Sequence, residues 1–468
     1  MDKYLQAFKA YDIRGIFAEE IDAYFCFIMG YGIGQDLIKN QGSDTKILLG
    51  SDTRKINKEL IDAFVVWLTS AHVTHIDHIH SYANSDYPYG IISTSAAYFI
   101  GQNTWDCIAI FTASHNPAEY TGIKIFDKNG KLADTANLKN LFAEAKIQRK
   151  NQDIPNKANI YKQDPDKVTK KTQQYQEFLE KKRWKLHKNH HFVVDFSHGS
   201  AVTAEKYFYN NHANNHLIHM INDYPDWTFP AHESETSNPE NYTQLKQEIK
   251  KHKAEFWVMF DWDADRIGIV SNSGEVVPWD IIYAIILSEI LKETDKNTIC
   301  VYDCMSSKIV AETIKQYWAT PKINKVWRFF INNEIQKVWA LIGWEVSGHY
   351  MFGELEGSES VLLAQYYIMK ALENYNNFDE MIQKYKKYHK WPVMSIKTDN
   401  KDKIMKRIQT YFAQEEIKNI DGISIYADTY RCNIRPSNTE PKIRFTVEAN
   451  NKAIREEKIT EIKKLIAE

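Results

Sequence analysis

Glycine and cysteine are both scarce in this sequence. Its 468 residues include only 18 glycines, well below the ~7% of an average protein. The five cysteines are odd in number and form no Cys-x-x-Cys pair, so we expect reduced, mostly buried thiols rather than a disulfide framework. They are Cys26, Cys107, Cys300, Cys304 and Cys432.

The sequence also lacks net charge and any long apolar run. Lys and Arg number 59 against 61 Asp and Glu, a balance that argues against a nucleic-acid or anionic membrane partner. The start, Met-Asp-Lys-Tyr, is not a signal peptide, and the apolar stretch at 24–33 is too short to span a bilayer. We therefore expect a cytoplasmic, globular protein of roughly three or four domains at ~100–150 residues each.

We expect the chain to be organised around one serine loop. Cys107 to Phe111 is apolar, and it is too short and too closely flanked by turn formers for a helix, which predicts a buried strand of a parallel sheet. Ser114 follows at the carboxyl end of that strand, where ligands bind in open α/β sheets. With His115 beside it and Lys124 brought back by a second strand, this hydroxyl suits transfer of an anionic group. The alternative is a turn serine that caps a helix.

The segments around this loop follow a βαβ pattern. A strand at 47–50 precedes a helix from Asn57 to Ala71 and a further strand, which predicts a mixed or parallel sheet covered by helices. Near the N-terminus, Arg14 precedes Gly15, whose backbone freedom lets the guanidinium face a cleft.

Four histidines cluster in the same region. Their spacing matches no ligand pattern on a helix, and alternation along a strand would leave some of them on the solvent side. An incidental cluster is the favoured interpretation, with a metal site as the alternative. These residues are His72, His75, His78 and His80.

A second loop carries three carboxylates directly after the apolar strand Phe256 to Phe260. Asp261, Asp263 and Asp265 occupy alternate positions, so their oxygens can converge on one hard cation, for which Mg²⁺ is the natural candidate. Arg266 then lies where it can hold a phosphate. An incidental acidic turn is the alternative, although charges at the end of a buried strand usually have a partner.

Two further loops carry weaker signals. Glu345 and Ser347 flank Val346 and offer an acceptor and a donor-acceptor that suit sugar hydroxyls. Later, residues 431–441 place Arg, Ser, Asn and Thr between prolines, which outlines a phosphate-binding loop of guanidinium, hydroxyl and backbone N–H groups.

Taken together and in this order, these loops resemble those of the α-D-phosphohexomutase superfamily, and in particular its bacterial phosphomannomutase/phosphoglucomutase branch. The likeness runs from Ala10-Tyr11-Asp12-Ile13-Arg14-Gly15 to Arg435-Pro436-Ser437-Asn438-Thr439-Glu440-Pro441, and the pair Thr-Ala-Ser-His-Asn-Pro and Asp-x-Asp-x-Asp-Arg is its most specific part. The resemblance implies an α/β protein in which three similar α/β domains with mixed sheets and a smaller C-terminal α+β domain surround a central cleft. The domains expected are 1–150, 151–255, 256–372 and 373–468. The first contains the serine loop around Ser114. The third contains the metal loop of Asp261, Asp263 and Asp265 and the sugar loop of Glu345 and Ser347, and the fourth contains the phosphate loop at 431–441.

The resemblance also implies a role for each matching residue. Ser114 would be the serine that carries a phosphoryl group, and its phosphate would join Asp261, Asp263 and Asp265 in holding Mg²⁺. The catalytic set implied is Ser114, His115, Arg14, Lys124 and His349, the last two as proton-transfer residues. The substrate-binding set is Arg266, Arg328, Glu345, Ser347 and His349, and the phosphate-binding set is Arg435, Ser437, Asn438 and Thr439.

The implied activity is interconversion of hexose 6-phosphate and hexose 1-phosphate, of mannose or glucose. A hexose 1,6-bisphosphate would be both intermediate and activator, small hexose phosphates would be the only partners, and the enzyme would be a monomer or dimer. Phosphoglucosamine mutase is the nearest alternative. A non-catalytic sugar-phosphate binder and a phosphatase with Asp261 as nucleophile are the alternatives from other classes.

Two single residues depart from the family pattern. Met305 stands where the family usually has a cleft lysine, and Arg328 stands near a position where histidine is common. Loss of the lysine weakens phosphate or hydroxyl binding, and the arginine offers a compensating cation, so these changes bear on sugar preference more than on the chemistry.

A third departure is systematic. Trp262 in the metal loop and Trp344 in the sugar loop stand where the family has glycine, and twelve tryptophans are about twice a typical share. An indole blocks the positive φ and close backbone approach that glycine permits. The hypothesis is that UGA codons for glycine have been translated as tryptophan, which the Lys/Asn/Ile/Tyr-rich composition of an AT-rich genome fits; a tryptophan-rich protein with different loops is the alternative. Further positions of this kind are Trp67, Trp105, Trp257, Trp279, Trp327 and Trp339.

Overall fold

The computed structural model describes the chain in two compact units. One unit comprises Met1–Val276 with Ser358–Tyr366, and the other comprises Val277–Gly357 with Tyr367–Glu468. The described residues are 2–9, 12–79, 81–84, 86–150, 158–182, 186–212, 216–233, 235–236, 238–437 and 441–467.

The first unit opens with an α/β domain. Its elements are β1 (Ile13–Ile16), α1 (Ala23–Gln41), β2 (Lys46–Ser51), α2 (Asn57–Ser70), β3 (His75–His78), α3 (Thr94–Gly101), β4 (Cys107–Phe111), β5 (Tyr120–Asp127) and α4 (Thr135–Gln148). The sheet order is β1-β5-β4-β2-β3. β2 is parallel to β3 and β4, whereas β5 is antiparallel to β4 and β1. This mixed sheet confirms the predicted α/β class, and β4 has the bounds expected from its apolar run.

The same unit continues with a second α/β domain. Its elements are α5 (Pro165–Lys182), β6 (His191–Asp195), α6 (Ala204–His212), β7 (Leu217–Ile221), α7 (Thr243–His252), β8 (Phe256–Phe260) and β9 (Ile267–Ser271). The sheet order is β7-β6-β8-β9. β6 is parallel to both β7 and β8, and β9 returns antiparallel along β8.

This pairing corrects the expected domain boundary between residues 255 and 256. β8 lies inside the second sheet because Phe192 to Asp195 of β6 pair with Phe256 to Met259. The metal loop between β8 and β9 therefore belongs to the second domain and not to the third. An apolar run predicts a strand but not its partner, which is why the sequence did not reveal this assignment.

The second unit holds a third α/β domain. Its elements are α8 (Trp279–Ile290), β10 (Ile299–Asp303), α9 (Lys308–Gln316), β11 (Thr320–Asn324), α10 (Arg328–Val338), β12 (Ile342–Glu345) and β13 (His349–Phe352). β10 is parallel to β11 and β12, and β13 is antiparallel to β12. The short strand β14 (Ser358–Glu359) belongs by its residues to the first unit, and α11 (Val361–Leu372) follows it.

The C-terminal domain is an antiparallel sheet with helices. Its elements are α12 (Phe378–Tyr385), β15 (His389–Lys390), β16 (Met394–Lys397), α13 (Lys401–Tyr411), β17 (Glu416–Lys418), β18 (Ile423–Tyr426), β19 (Tyr430–Pro436), β20 (Lys442–Ala449) and α14 (Lys452–Ala467). The sheet order is β15-β20-β19-β18-β17, and β16 also pairs with β20. This segregated arrangement is the C-terminal α+β domain that the family resemblance implied.

All five cysteines are buried free thiols, as expected from their number and spacing. Within the described ranges, no helix combines the length and apolar character that crossing a membrane requires. Of the clustered histidines, His78 stacks on the ring of Tyr89 with 4.7 Å between centroids, and His80 lies outside the described residues.

Candidate active site

Ser114 lies in the turn directly after β4 and has a left-handed backbone conformation. Its φ is 51°, its N–H donates to Thr112 Oγ1 at 2.8 Å, and the residue is only 1% exposed. A positive φ is uncommon for a non-glycine residue, and strained conformations of this kind cluster at active sites. The turn therefore holds this hydroxyl in one place at the end of the sheet, as the sequence predicted.

Arg54 anchors the serine loop through hydrogen bonds to its backbone. It was not identified from the sequence. Its guanidinium is 3% exposed and donates to four backbone carbonyl oxygens of the loop, with Asp52 Oδ2 accepting from its Nε at 3.2 Å. The accepting carbonyls are those of Ser114 (3.1 Å), Asn116 (2.6 Å), Pro117 (2.7 Å) and Tyr120 (3.0 Å). Five fixed donors make arginine suited to this task.

Arg14 also reaches the serine loop. Its Nη1 donates to Asn116 Oδ1 at 2.7 Å, and its Nη2 pairs with Asp12 Oδ2 at 2.7 Å. The guanidinium is thus held beside the loop by one carboxylate and one amide. The sequence predicted that Arg14 faces a cleft; these contacts place it beside the serine loop, and its catalytic role stays a prediction.

The Ser114 hydroxyl has one neighbour from its own loop and one from the metal loop. Ser114 Oγ lies 3.2 Å from His115 Nδ1 and 3.1 Å from Asp261 Oδ2. The other ring nitrogen of the histidine, Nε2, lies 3.2 Å from Glu235 Oε2. The sequence predicted His115 and Asp261 but gave no signal for Glu235, which comes from a different loop.

The three aspartates of the metal loop converge. Each of Asp261, Asp263 and Asp265 offers an oxygen within 4.8 Å of the others, and all three are buried. The loop folds back on itself because the N–H groups of Asp265 and Arg266 both donate to Asp261 Oδ1, at 3.1 and 3.2 Å. The convergence expected from alternate positions after β8 is therefore present.

Two cations lie against these carboxylates. Lys124 Nζ is 2.5 Å from Asp263 Oδ2 and 2.7 Å from Asp265 Oδ2. Arg266 Nε is more distant, at 3.7 Å from Asp261 Oδ2. The second β-strand expected to return Lys124 to the serine loop is β5, which runs antiparallel to β4.

The cations do not satisfy the cluster evenly. Burial, and then repulsion from Asp265 and Asp263, raises the pKa of Asp261 well above its usual value. Burial and the charge of Asp265 also tend to raise the pKa of Asp263. The charge and hydrogen bond of Lys124 outweigh them, so the pKa of Asp263 is lowered. Charged carboxylates packed this closely need a cation.

The site fits a divalent cation by its donor set. Its oxygens are those that Mg²⁺ prefers, and Asp263 Oδ1 is buried without a hydrogen-bond partner among the described residues. A buried, unpaired carboxylate oxygen is costly unless a cation or water binds it.

The N-terminus of α3 binds the metal loop through hydrogen bonds. The sequence did not predict this contact. Thr94 Oγ1 donates to Asp263 Oδ2 at 2.6 Å, and the Thr94 N–H donates to the Asp263 carbonyl at 2.8 Å. Ser95 Oγ donates to the Ala264 carbonyl at 2.9 Å. The only sequence signal is the Ser-Thr-Ser run that starts this helix, which predicts a cap but not what the helix end contacts.

A buried glutamate supports that helix end. Ser93 caps α3, and its Oγ donates to Glu205 Oε1 of α6 at 2.7 Å. Glu205 is fully buried, and burial raises the pKa of its carboxyl from 4.5 to about 7. This shift favours the protonated form, because burial outweighs the hydrogen bond from Ser93.

This carboxyl makes stability depend on pH. The pKa is higher in the folded than in the unfolded state, so its contribution is fully present below about 4.5 and is lost as pH rises through about 7. The loss corresponds to about 3 kcal/mol. We expect the melting temperature of the wild type to fall between pH 5 and 8 by several degrees more than that of Glu205→Gln, measured by calorimetry. Equal falls in the two proteins would contradict this prediction.

In the second unit, the sugar loop joins β12 to β13. Ser347 Oγ donates to Glu345 Oε2 and lies 3.0 Å from His349 Nδ1. His349 Nδ1 in turn lies 3.2 Å from Glu345 Oε2. These three predicted residues therefore form one compact polar cluster.

Asp303 fixes this loop from the neighbouring strand β10. Its Oδ2 accepts the Val346 N–H at 2.6 Å, and its Oδ1 accepts the Met305 N–H at 2.8 Å. Burial, and then the charge of Glu345, raises the pKa of Asp303 to about 7. The Met305 side chain is buried against Cys304 and Val326. The position therefore has an apolar environment, which suits methionine and not the charged end of a lysine.

The phosphate loop is described only in part. Arg435 Nη1 pairs with Asp421 Oδ2 at 2.8 Å, and Lys401 Nζ donates to the Ser437 carbonyl at 2.8 Å. Asn438 and Thr439 lie outside the described residues. Arg328, predicted to bind substrate, begins α10 and is half-buried.

Models of one family match the chain along most of its length. They are phosphoglucomutase/phosphomannomutase alpha/beta/alpha domain I over residues 5–153, domain II over 173–274, domain III over 279–388 and the C-terminal domain over 394–465. The domain II match includes the metal loop, in agreement with the sheet pairing of β8.

Individual proteins agree with the family match. A phosphomannomutase of Methanocaldococcus jannaschii is 36% identical over 465 residues, which cover 99% of this chain and 98% of that one. A phosphoglucosamine mutase of Clostridium botulinum is 28% identical and covers 94% of each chain. The crystal structure of a phosphoglucomutase/phosphomannomutase family protein from Burkholderia thailandensis has a TM-score of 0.85 at 21% identity, and the match covers 98% and 96% of the two chains. The resemblance carried by the serine and metal loops is thus confirmed: this chain belongs to the phosphoglucomutase/phosphomannomutase family of α-D-phosphohexomutases and is an intramolecular phosphotransferase.

Proposed function

We propose that this phosphohexomutase interconverts the 6-phosphate and 1-phosphate of mannose, glucose or both, through a phosphorylated Ser114 and a hexose 1,6-bisphosphate. The observation that carries the proposal is the buried Ser114 hydroxyl, held in a strained turn 3.1 Å from a carboxylate cluster. A fixed oxygen beside converging charges suits phosphoryl transfer, which depends on positioning and on stabilisation of charge.

Each turnover consists of two transfers. In the first, the bond between phosphorus and Ser114 Oγ breaks as phosphorus bonds to the free hydroxyl oxygen of the hexose phosphate; that hydroxyl loses its proton, and Ser114 Oγ gains one. In the second, the other phosphoryl group of the bisphosphate returns to Ser114 Oγ, whose hydroxyl loses its proton, and the sugar oxygen that it leaves regains one. A hexose 1,6-bisphosphate also phosphorylates Ser114 initially, which is its role as activator.

The cations around the loop offset the charge of the transferring group. Lys124 pairs with Asp263 and Asp265, and we assign to it the proton transfer at the reacting sugar oxygen. His349 is the second proposed proton-transfer residue, and Arg14 contacts the phosphoryl oxygens. Such preorganised charges stabilise the transition state without reorganisation during the reaction.

Asp261, Asp263 and Asp265 are the residues that would hold Mg²⁺, together with an oxygen of the phosphorylated Ser114. When bound, the ion supplies charge neutralisation at the phosphoryl oxygens. The carboxylate oxygens and the unpartnered Asp263 Oδ1 support this assignment.

Binding of the substrate is assigned to the second unit and to Arg266. Glu345, Ser347 and His349 offer acceptor and donor groups to sugar hydroxyls, and Arg328 is assigned to the substrate as well. The phosphate that is not transferred is assigned to the loop of Arg435, Ser437, Asn438 and Thr439. One such loop serves both halves of the reaction because the bisphosphate turns over between the two transfers.

The proposed function is tested by measuring turnover of mannose 1-phosphate, glucose 1-phosphate and glucosamine 1-phosphate side by side, with Mg²⁺ and a hexose bisphosphate. We expect the mannose or glucose substrate to have the highest kcat/KM, because Val346 stands where the glucosamine branch usually carries glutamine. Preference for glucosamine 1-phosphate would identify the alternative mutase instead. Binding without turnover of any of the three would favour a non-catalytic binder.

A further inference from the structure

The imidazole of His115 is held between the reacting serine and an acidic residue from another domain. Its Nδ1 lies 3.2 Å from Ser114 Oγ, and its Nε2 lies 3.2 Å from Glu235 Oε2. The histidine and glutamate side chains are each about one quarter exposed, at 24% and 25%. Both nitrogens are therefore engaged on opposite sides of the ring, which fixes its orientation.

The backbone beneath Glu235 is itself anchored. The Glu235 carbonyl accepts from Asn241 Nδ2 at 2.8 Å and from the Asn238 N–H at 3.2 Å. Asn241 is buried. The carboxylate therefore projects from a fixed support and can act as an orienting group.

Resting on the proposed function, we infer that Glu235 is a positioning residue that orients His115 against Ser114. The arrangement has the general form in which a reactive hydroxyl contacts an imidazole whose second nitrogen is held by a third group. Without the carboxylate, the ring is free to rotate about χ2, and its Nδ1 no longer faces the serine oxygen continuously. The loss should appear in the transfer step and not in substrate binding.

The test compares Glu235→Gln with Glu233→Gln, a matched change at an exposed residue of the same loop. We expect Glu235→Gln to lower kcat about 10-fold, with KM within a factor of two, as is typical for loss of an orienting partner. Glu233→Gln should match the wild type, and Glu235→Asp should recover part of the loss. Equal melting temperatures of the variants exclude a folding defect.

The outcomes separate this inference from the proposed function. A wild type without mutase turnover would contradict the proposed function itself. A wild type that turns over, with a Glu235→Gln variant of equal kcat, would contradict only the role of Glu235. A rise in KM alone would also overturn it, because a positioning role in transfer predicts a change in kcat.

A different set of observations carries a second inference, about the tryptophans. Trp318, Trp327 and Trp339 have φ angles of 62°, 99° and 53°. Positive φ is rare for bulky residues and routine for glycine. Trp318 was not among the tryptophans that the sequence comparison selected. Its positive φ is therefore independent evidence for one more position of this kind.

For Trp318 and Trp339 the packing among the described residues offers little compensation, the contact of Lys296 Nζ with the Trp318 ring at 5.6 Å being long. Trp318 is 71% exposed and Trp339 is 86% exposed, so little of either indole surface is removed from water. Trp339 is the left-handed cap of α10, and the following Ala340 N–H donates back to the Ile335 carbonyl at 3.0 Å. This is the helix end that glycine usually occupies.

The buried tryptophans show a second kind of conflict. Four of them bury an indole N–H that has no hydrogen-bond acceptor in the described part of the chain, namely Trp67, Trp257, Trp262 and Trp344. Buried indoles normally find an acceptor. Glycine at these four positions would remove the unpartnered groups.

Trp262 in the metal loop has a third conflict. Its ring centroid lies 3.4 Å from that of Phe229 at an interplanar angle of 44°, whereas aromatic pairs pack at 4.5–7 Å. Its backbone is also closely approached, since a Cβ on Gly199 would lie 2.5 Å from the Trp262 carbonyl oxygen. The neighbourhood has room for the backbone but not for the indole.

We propose that glycine occupies these positions in the working protein, because UGA codons are read as glycine where it is made. The positions are Trp67, Trp257, Trp262, Trp318, Trp327, Trp339 and Trp344. Glycine at Trp262 and Trp344 would remove two fully buried indoles, one in the metal loop and one in β12; neither residue has a positive φ.

The codons and the natural protein test this inference directly. We expect UGA at these positions in the gene, and peptide masses with glycine there in protein purified from its native source. UGG codons, or peptides with tryptophan masses, would overturn the inference.

A variant series tests the physical argument separately from the genetic code. In the chain as printed, Trp327→Gly relieves both the size and the φ of the residue, whereas Trp327→Ala relieves only the size. We expect the melting temperature to rise by a few degrees for glycine and by less for alanine. An alanine variant at least as stable as the glycine variant would contradict the conformational argument.

Discussion

Replacing Ser114 with alanine is expected to abolish mutase turnover. The substitution removes the only atom that the proposal assigns to carry the phosphoryl group, while the turn and its support by Arg54 use backbone atoms and remain. Loss of a nucleophile typically lowers kcat by about 10⁶-fold, to the background supplied by the rest of the site. Coupled steady-state assays of hexose 1-phosphate conversion measure this effect.

The same variant distinguishes the mutase from a phosphatase. Asp261 is unchanged in Ser114→Ala, so an aspartyl phosphatase would keep its hydrolytic activity. Ser70→Ala is the matched control and should keep full mutase activity, because the hydrogen bond of its hydroxyl among the described residues is to the Val66 carbonyl within α2. Incubation with radiolabelled hexose bisphosphate should label the wild type and Ser70→Ala but not Ser114→Ala. Mutase turnover by Ser114→Ala would refute the assignment of the serine.

The parts predicted best from the sequence are those determined by short apolar runs and by residues close in the chain. β4 and β8 have the bounds expected from Cys107–Phe111 and Phe256–Phe260, because a fully apolar run of five residues between turn formers has few other structures to adopt. The convergence of the three aspartates follows from one loop of five residues. Local patterns were sufficient in these cases.

The parts that the sequence did not reveal depend on partners far away in the chain. Arg54 is 60 residues from Ser114, Thr94 is 169 residues from Asp263, and Glu205 is 112 residues from Ser93. An arginine after a strand or a threonine at a helix start is common, and its function becomes visible only when the fold supplies the acceptor. The boundary at residue 256 was wrong for the same reason, since pairing between strands is a long-range property.

These distant contacts join the serine and metal loops to each other and to the elements that support them. Arg54 fixes the first loop through its carbonyls, and α3 grips the second through Thr94 and Ser95. Lys124 ties the strand that follows the serine loop to the aspartates. The 3.1 Å separation of Ser114 Oγ from Asp261 is therefore set by several independent supports, as preorganised charge stabilisation requires.

Asp263→Asn is expected to impair both metal binding and turnover. Asp263 Oδ2 accepts from Lys124 and Thr94, and Oδ1 is the buried oxygen without a hydrogen-bond partner in the described residues. The amide removes one of the three negative charges. It also places an NH₂ group either at the position of Oδ2, facing Lys124 and Thr94, or at the position of Oδ1. We expect kcat to fall about 10²–10³-fold and the Mg²⁺ concentration for half-maximal rate to rise more than about 10-fold.

A thermal shift separates the loss of the metal from loss of the fold. Because a ligand that binds only the folded state stabilises it, Mg²⁺ should raise the melting temperature of the wild type but not that of Asp263→Asn. The matched control is Asp77→Asn, which changes another buried aspartate in the same unit, one that accepts from Trp105 Nε1 and the Asp164 N–H on the edge strand β3. It should keep the Mg²⁺ shift and the wild-type kcat even if it lowers stability. An Asp263→Asn variant with an unchanged Mg²⁺ requirement would show that the carboxylate cluster is satisfied by Lys124 and Arg266 and holds no catalytic ion.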